Sequence, residues 1–257
     1  GNSKNADMVY PKGELIGQYK IIETLKQGQF ADTYLGRSIH DQTPAVIKVI
    51  RPPLISELQK DFLVQVRMLM NMEHPHILQL RDAGVENHYP FMIADYVPHL
   101  TLRQVFPQWS VQPLAKFLPY LKQIASALQY AHNKNILHGN IRPENILLNR
   151  YNQILLSDFT IEAIIQNHEH FNYQRTEAIA YTAPERIQGK AKPASDQYSL
   201  AIVVYELLAG EVPFTKSYLE VTHQHMNTPP PSLREKVPDI SPRIDKIGMA
   251  ALAKDPM

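Results

Sequence analysis

An α+β fold in two parts is what this sequence predicts. A small strand-rich part covers about residues 13–94, and a larger, mainly helical part covers about 100–257. Short β-branched and aromatic runs, separated by polar turn-like stretches, fill residues 19–50 and return at 77–96. One helical pattern lies between them. After residue 100 the apolar residues recur at the spacing of long helices.

Tyr19–Leu25, Asp32–Gly36 and Ala45–Ile50 read as strands. Leu58, Phe62, Val66, Leu69 and Met70 recur at helical spacing and predict a helix over 56–72. Ile77–Ala83 and Pro90–Tyr96 read as two more strands, and 95–99 as a connecting hinge. Leu114, Phe117, Leu118, Leu121, Ile124, Ala125, Leu128 and Ala131 mark a long amphipathic helix, which Pro119 is expected to kink or start late. Leu200–Leu208 is apolar nearly all round, so a buried helix is expected there. Residues 227–242 are Pro-rich and read as loop, and 1–12 as a polar leader without signal-peptide character.

The formal net charge of the 257 residues is +1, which gives no general argument for nucleic acid or a membrane surface. Cysteine is absent, excluding disulfides and thiol catalysis. No apolar run approaches the roughly eighteen residues of a transmembrane helix. His168-Glu169-His170 and His223-Gln224-His225 lack a third ligand nearby in sequence, so no zinc site is expected. Trp109, Phe106 and Tyr120 are expected to pack internally rather than stack on bases, since no basic stripe accompanies them.

The chemistry-bearing segments are Ala45-Val46-Ile47-Lys48, His138-Gly139-Asn140-Ile141-Arg142-Pro143-Glu144-Asn145, Ser157-Asp158-Phe159-Thr160, Ala183-Pro184-Glu185 and Ser195-Asp196. In this order and context they resemble the protein-kinase family, in the flavour of its bacterial serine/threonine members, over about residues 17–257. The resemblance implies a bilobal fold with an N-lobe of about 13–94, a hinge of about 95–99 and a C-lobe of about 100–257. It implies ATP and Mg²⁺ as ligands. Lys48 would contact the α- and β-phosphates, Asn145 and Asp158 would hold the metal, and Arg142 would place a cation near the γ-phosphate. Gly28, Val46, Ala94, Asp95, Val97 and Leu147 would line the nucleotide site, with Thr33 beside Val46 in its roof. Leu69, Leu80, His138 and Phe159 would form the internal spine, and Asp196 would accept backbone hydrogen bonds from the catalytic loop. The chain ends just before the family's usual Arg partner of Glu185, so the natural protein is expected to continue into a final helix.

Several positions depart from that family. Asn140 stands where the catalytic Asp belongs, and an amide is no base near neutral pH. Gln65 replaces the helix Glu that pairs with Lys48. Only Gly28 remains of the Gly-rich loop, which reads Lys26-Gln27-Gly28-Gln29-Phe30-Ala31. Gly139 replaces an Arg, Thr160 a Gly, and Ala178 a hydroxyl residue. The small Ala94 at the gatekeeper position is expected to open a rear cavity that Met68 or a similar neighbour fills. Together these changes imply a pseudokinase, a signalling or scaffolding module with weak or no ATP binding. The alternative is a weakly active serine/threonine kinase. Protein partners are implied and nucleic acid is not. The expected location is the cytoplasm, alone or as the cytoplasmic part of a longer membrane-anchored protein.

Overall fold

The structure is a computed structural model and describes residues 10–28, 30–51, 53–161, 178–243 and 245–246. The chain divides into two compact units. The first comprises Gly1–Glu73, Leu78–Val97 and Ile161–Phe171; the second comprises His74–Ile77, Pro98–Thr160 and Asn172–Met257.

The first unit holds β1 (Leu15–Ile16), β2 (Tyr19–Gln27), β3 (Ala31–Ser38), β4 (Pro44–Ile50), β5 (Leu80–Glu86) and β6 (Tyr89–Asp95), with α1 (Ser56–Met70) between β4 and β5. The strands form one sheet in the order β1-β2-β3-β4-β6-β5, antiparallel throughout. Alternation along β4 sets its two faces. Ala45, Ile47 and Val49 pack with Ile16, Ile21, Tyr34, Phe91 and Ile93. Ile50, of the opposite parity, joins Leu54, Phe62, Val66 and Ile161, against which Leu58 and Leu69 also pack. Val46 and Lys48 share the parity of Ile50, so they lie on the helix-bearing face. The strand expected at 77–83 begins later, because Ile77 bridges Leu156 and the His76 carbonyl accepts the Leu156 N–H in the second unit.

In the second unit β7 (His99–Thr101), β8 (Ile146–Asn149) and β9 (Ile154–Leu156) form a small antiparallel sheet. Its helices are α2 (Leu102–Val105), α3 (Leu114–Asn133), α4 (Pro184–Ile187), α5 (Pro193–Ala209), α6 (Tyr218–Asn227) and α7 (Leu233–Lys236). α3 runs through Pro119 without a later start. The proline only withholds an N–H from the Ala115 carbonyl. α5 buries Ile202, Val203, Tyr205, Leu207 and Leu208, and Gly210 closes it with φ +85°. The region expected as loop contains α7, because Ser232 caps the Arg234 N–H.

Trp109 is 73% exposed, contrary to the packing expected for it. Its backbone is left-handed (φ +68°) and its N–H is held by the Gly210 carbonyl, which turns the indole outward. Phe106 is buried beside Tyr120, with ring centroids 6.4 Å apart.

Candidate nucleotide and catalytic-loop site

In the first unit the residues predicted from the sequence lie on β4 and its neighbours. Lys48 lies opposite Thr33 on β3 and Met92 on β6, while Val46 lies opposite Leu35 and Ala94. Gln65 stands between Phe62 and Leu69, one residue before Val66, on the stripe of α1 that carries the core contacts. Met68 is 42% exposed, so it does not fill a space behind Ala94. It lies two residues beyond buried Val66, which at 3.6 residues per turn puts it on the far side of the helix. Leu80 is instead the residue paired with Ala94.

The Gly-rich segment closes as a tight hairpin, in which the Gly28 N–H donates to the Ala31 carbonyl. A Cβ on Gly28 would come within 2.7 Å of that oxygen, so this glycine is required sterically. Phe30 is buried, and its carbonyl accepts the Arg51 N–H. The Arg51 side chain in turn donates to buried Asp32 at 2.9–3.0 Å. In the hinge, the Asp95 carboxylate is gripped by Arg81 through two bonds of 2.7 and 3.0 Å, and its N–H by the Gln79 carbonyl. Val97 ends the Leu78–Val97 segment of the first unit.

In the second unit the predicted residues are organised around Asp196 in the first turn of α5. Its carboxylate accepts the backbone N–H of His138 (2.9 Å), that of Gly139 (2.9 Å) and His132 Nε2 (2.8 Å). Burial alone would raise its pKa; the His132 hydrogen bond, His138 and the two amides outweigh burial and hold it below the ordinary carboxylate range.

His138 is fully buried. Its Nδ1 accepts the Asn140 N–H (3.0 Å) and its Nε2 lies 2.8 Å from the Ser157 carbonyl, to which it donates. One ring nitrogen accepts and the other donates, so the imidazole is neutral. Burial, the main influence, pushes its pKa below the usual value in the same sense. Phe159 packs against this ring, with centroids 4.4 Å apart and the planes tilted by 49°. His138 is therefore a packed framework residue.

The loop that follows is bonded to the same frame. Asn145 is buried and its Nδ2 donates to the Asn140 carbonyl (2.9 Å), so the oxygen of the amide is the atom it could offer a cation. Ser157 donates its N–H to the Asn145 carbonyl (3.1 Å), and its hydroxyl reaches that oxygen at 3.3 Å. Asp158 is exposed and has a left-handed backbone (φ +59°), a conformation Asp tolerates better than most residues. The Thr160 N–H returns to the His138 carbonyl at 2.8 Å. The Ser157–Thr160 segment is thus tied to the catalytic loop at both ends. An amide oxygen and a carboxylate are the hard oxygen donors that Mg²⁺ takes, so Asn145 and Asp158 fit that ion.

Gly139 has φ +78°, and a Cβ there would stand 2.8 Å from Thr160 Oγ1 and 3.1 Å from Arg186 Nη1. Two departures from the family pattern therefore meet, with the Thr160 side chain occupying the space that Gly139 leaves. Leu147 is buried on β8 between Thr101 and Leu155. Ala178 contributes only its carbonyl, which accepts the Thr182 hydroxyl (2.9 Å). Glu185 is buried and accepts the Ser195 hydroxyl (2.7 Å). Sequence reasoning missed Arg51, Arg81, His132 and Arg103 as partners, because their acidic counterparts lie 14 to 103 residues away along the chain.

His223 is exposed and bonds Asn227, while His225 is buried against the Tyr198 hydroxyl (2.7 Å). Among the described residues no three His, Cys, Asp or Glu side chains gather as a metal cluster. His168-Glu169-His170 and the closing Ala251–Met257 lie outside the described residues.

Residues 19–257 match the family model described as "Protein kinase domain". The chain belongs to the protein kinase family. It is 29% identical over 248 residues to the serine/threonine-protein kinase PrkC of Bacillus subtilis, covering 94% of this chain and 38% of that protein. It is 27% identical over 253 residues to PknB of Mycolicibacterium smegmatis, covering 94% and 40%. The kinase domain of Mycobacterium tuberculosis PknI superposes with a TM-score of 0.77 at 27% identity, covering 96% of this chain and 92% of that one. These findings establish the α+β protein-kinase fold, with a sheet-based N-lobe and a helical C-lobe. The chain spans less than two thirds of the length of these curated relatives. No helix among the described residues is long and apolar enough to cross a membrane.

Proposed function

We propose that this protein kinase family member is a pseudokinase, a signalling or scaffolding module that binds ATP weakly or not at all and has lost efficient phosphotransfer. One observation carries the reading. The catalytic-loop frame is complete, with Asn140 bonded through its N–H to His138 and through its carbonyl to Asn145, yet its side chain is an amide where the family places the base. General-base assistance contributes about 10²–10⁴ in rate. Ala178 supports the reading, since it removes the hydroxyl that would serve that base.

Weak nucleotide affinity is inferred from the first unit. Gln65 stands where the family keeps a helix Glu, and buried Phe30 ties the Gly-rich hairpin to Arg51 through its carbonyl. In the second unit Asn145 and Asp158 would hold Mg²⁺, which would supply charge neutralisation to the nucleotide phosphates. Family membership supports ATP and Mg²⁺ as the ligands to test, and protein partners as the targets.

A second reading, a weakly active serine/threonine kinase, is favoured by those retained metal donors. Phosphoryl transfer has a loose transition state and depends mainly on positioning. Mass spectrometry of self- and generic-substrate phosphorylation, with Mg²⁺ or Mn²⁺, separates the two. The pseudokinase reading expects wild type to match an Asp158→Ala control. Wild-type phosphorylation clearly above that control would overturn it in favour of the second. Thermal unfolding tests the nucleotide part. A ligand at a hundred times its dissociation constant stabilises by about 2.7 kcal/mol. Millimolar Mg²⁺–ATP is expected to fall well short of that, and a full shift lost in Asp158→Ala would contradict weak binding.

A further inference from the structure

The chain between α1 and β5 lends four residues, His74–Ile77, to the second unit. At one end of this loop Ile77 bridges Leu156 of β9, and the His76 carbonyl accepts the Leu156 N–H at 2.8 Å. His76 Nδ1 donates to the Ile154 carbonyl at 3.0 Å. At the other end the ties run through His74. Its Nδ1 accepts the His76 N–H at 3.0 Å, so its proton sits on Nε2, which donates to the Ser126 hydroxyl of α3 at 3.1 Å. Its ring packs against Tyr130, one turn further along α3, with centroids 5.2 Å apart, and against His76 at 5.6 Å.

This imidazole has one acceptor, and the acceptor is in use. A second proton would place an N–H on Nδ1 facing the His76 N–H, donor against donor. The surroundings do not favour the added charge. On its own loop His76 is a second imidazole and opposes it. Glu73, the preceding residue, acts on Arg81 of β5. On α3 the neighbours are Ser126 and Tyr130, and the Tyr130 ring already takes the Lys134 ammonium, 5.3 Å from its centroid. β9 meets the loop through the backbone of Ile154 and Leu156. Burial, followed by His76, accordingly holds the His74 pKa below its ordinary value. The ring is only half-buried, so rotation out of its place brings it into water, where it ionises freely.

We propose that His74 is an acid-sensitive latch: a proton gained at Nδ1 breaks its bond to the His76 N–H, swings the ring off α3 and frees the His74–Ile77 loop from β9. The His76 and Ile77 bonds to β9 adjoin the lost one and open with it as a local unit. β9 runs directly into Ser157 and Asp158, so the strand that leads to them is loosened. The latch is closed above about pH 6.5, the ordinary histidine pKa, and opens progressively as pH falls below it. The inference uses neither nucleotide binding nor phosphotransfer, so it stands apart from the proposed function.

The test is amide hydrogen exchange by NMR on the purified chain from about pH 7.5 to about pH 4.5, with the His74 ring titrated alongside. Exchange is expressed as protection, which removes the pH dependence of the exchange chemistry itself. Protection of the His76 and Leu156 amides is expected to fall below about pH 6.5, by about tenfold for each unit that the measured His74 pKa lies under 6.5. Ile202, fully buried in α5, should stay more protected than either throughout, as local opening requires. His74→Asn keeps an acceptor where Nδ1 was and does not titrate, so protection of His76 and Leu156 is expected to stay level in it. The proposal is overturned if wild type shows no fall, if His74→Asn falls alike, or if His76 and Leu156 merely share the protection of Ile202. Should His74→Asn fail to fold, wild type decides alone. A loss that matches the measured depression of the His74 pKa supports the latch, and a loss that does not track it overturns it.

Discussion

Asp196→Asn changes one atom of a buried side chain and should be felt throughout the C-terminal unit. In the native chain Oδ2 accepts from the His138 N–H and His132 Nε2, while Oδ1 accepts from the Gly139 N–H. An asparagine oxygen can serve the first two donors, but its NH₂ group then faces the Gly139 N–H, donor against donor. A buried donor left unmade costs about 1–3 kcal/mol. The two bonds that remain change from charge-assisted to neutral, a loss of about 0.5–1.5 kcal/mol each. The sum is about 2–6 kcal/mol, a large part of the 5–15 kcal/mol that ordinarily separates folded from unfolded protein. Urea unfolding followed by far-ultraviolet circular dichroism measures it as a fall in midpoint at constant slope. A loss below about 1 kcal/mol would refute the reasoning that Asp196 is the anchor of the catalytic loop.

Two further outcomes follow from the same frame. Gly139→Ala forces a Cβ against Thr160 Oγ1 at 2.8 Å in a left-handed backbone, and is expected to cost about 1–3 kcal/mol. Adding Thr160→Gly should recover the steric share. Strict additivity in the double-mutant cycle would show that the two residues do not fit one another. His138 gives a pH dependence. Its folded pKa lies below the ordinary 6.5, so the unfolded chain takes up a proton as pH falls through 6.5 while the folded chain does not. Stability is complete above that pH and falls as the pH drops below it. His74, also lowered, chiefly by burial, adds to the slope. The Asp196 contribution persists there, since its lowered pKa loses stability only below 3.8. Urea midpoints at several pH values measure the slope. His138→Phe should flatten it, and an unchanged slope would contradict a neutral buried His138.

Local pattern carried much of the fold into the sequence. β4 alternates and α1 repeats at helical spacing, so both were legible, and the central helix announced itself by being apolar all round. The errors arose where long-range geometry overrides local signal. Ile77 left its expected strand to bridge Leu156, and Trp109 turned outward because the Gly210 carbonyl fixes its backbone. Met68 could be read as filler only while its side of α1 was unknown. Within the site, motif spacing brought Asn140, Asn145 and Asp158 to notice. The long-range bonds elsewhere in the same unit were not legible, because His132–Asp196 and Arg103–Glu206 join residues 64 and 103 positions apart. The fit of Thr160 against Gly139 was likewise invisible, although both substitutions were plain in the sequence.

The most direct test of the central claim is transfer of label from the γ-phosphate of ATP by the purified chain, with Mg²⁺ or Mn²⁺, onto itself and onto generic protein substrates. The account predicts incorporation no greater than in Lys48→Ala and Asp158→Ala controls. Robust incorporation by wild type that both substitutions abolish would contradict it.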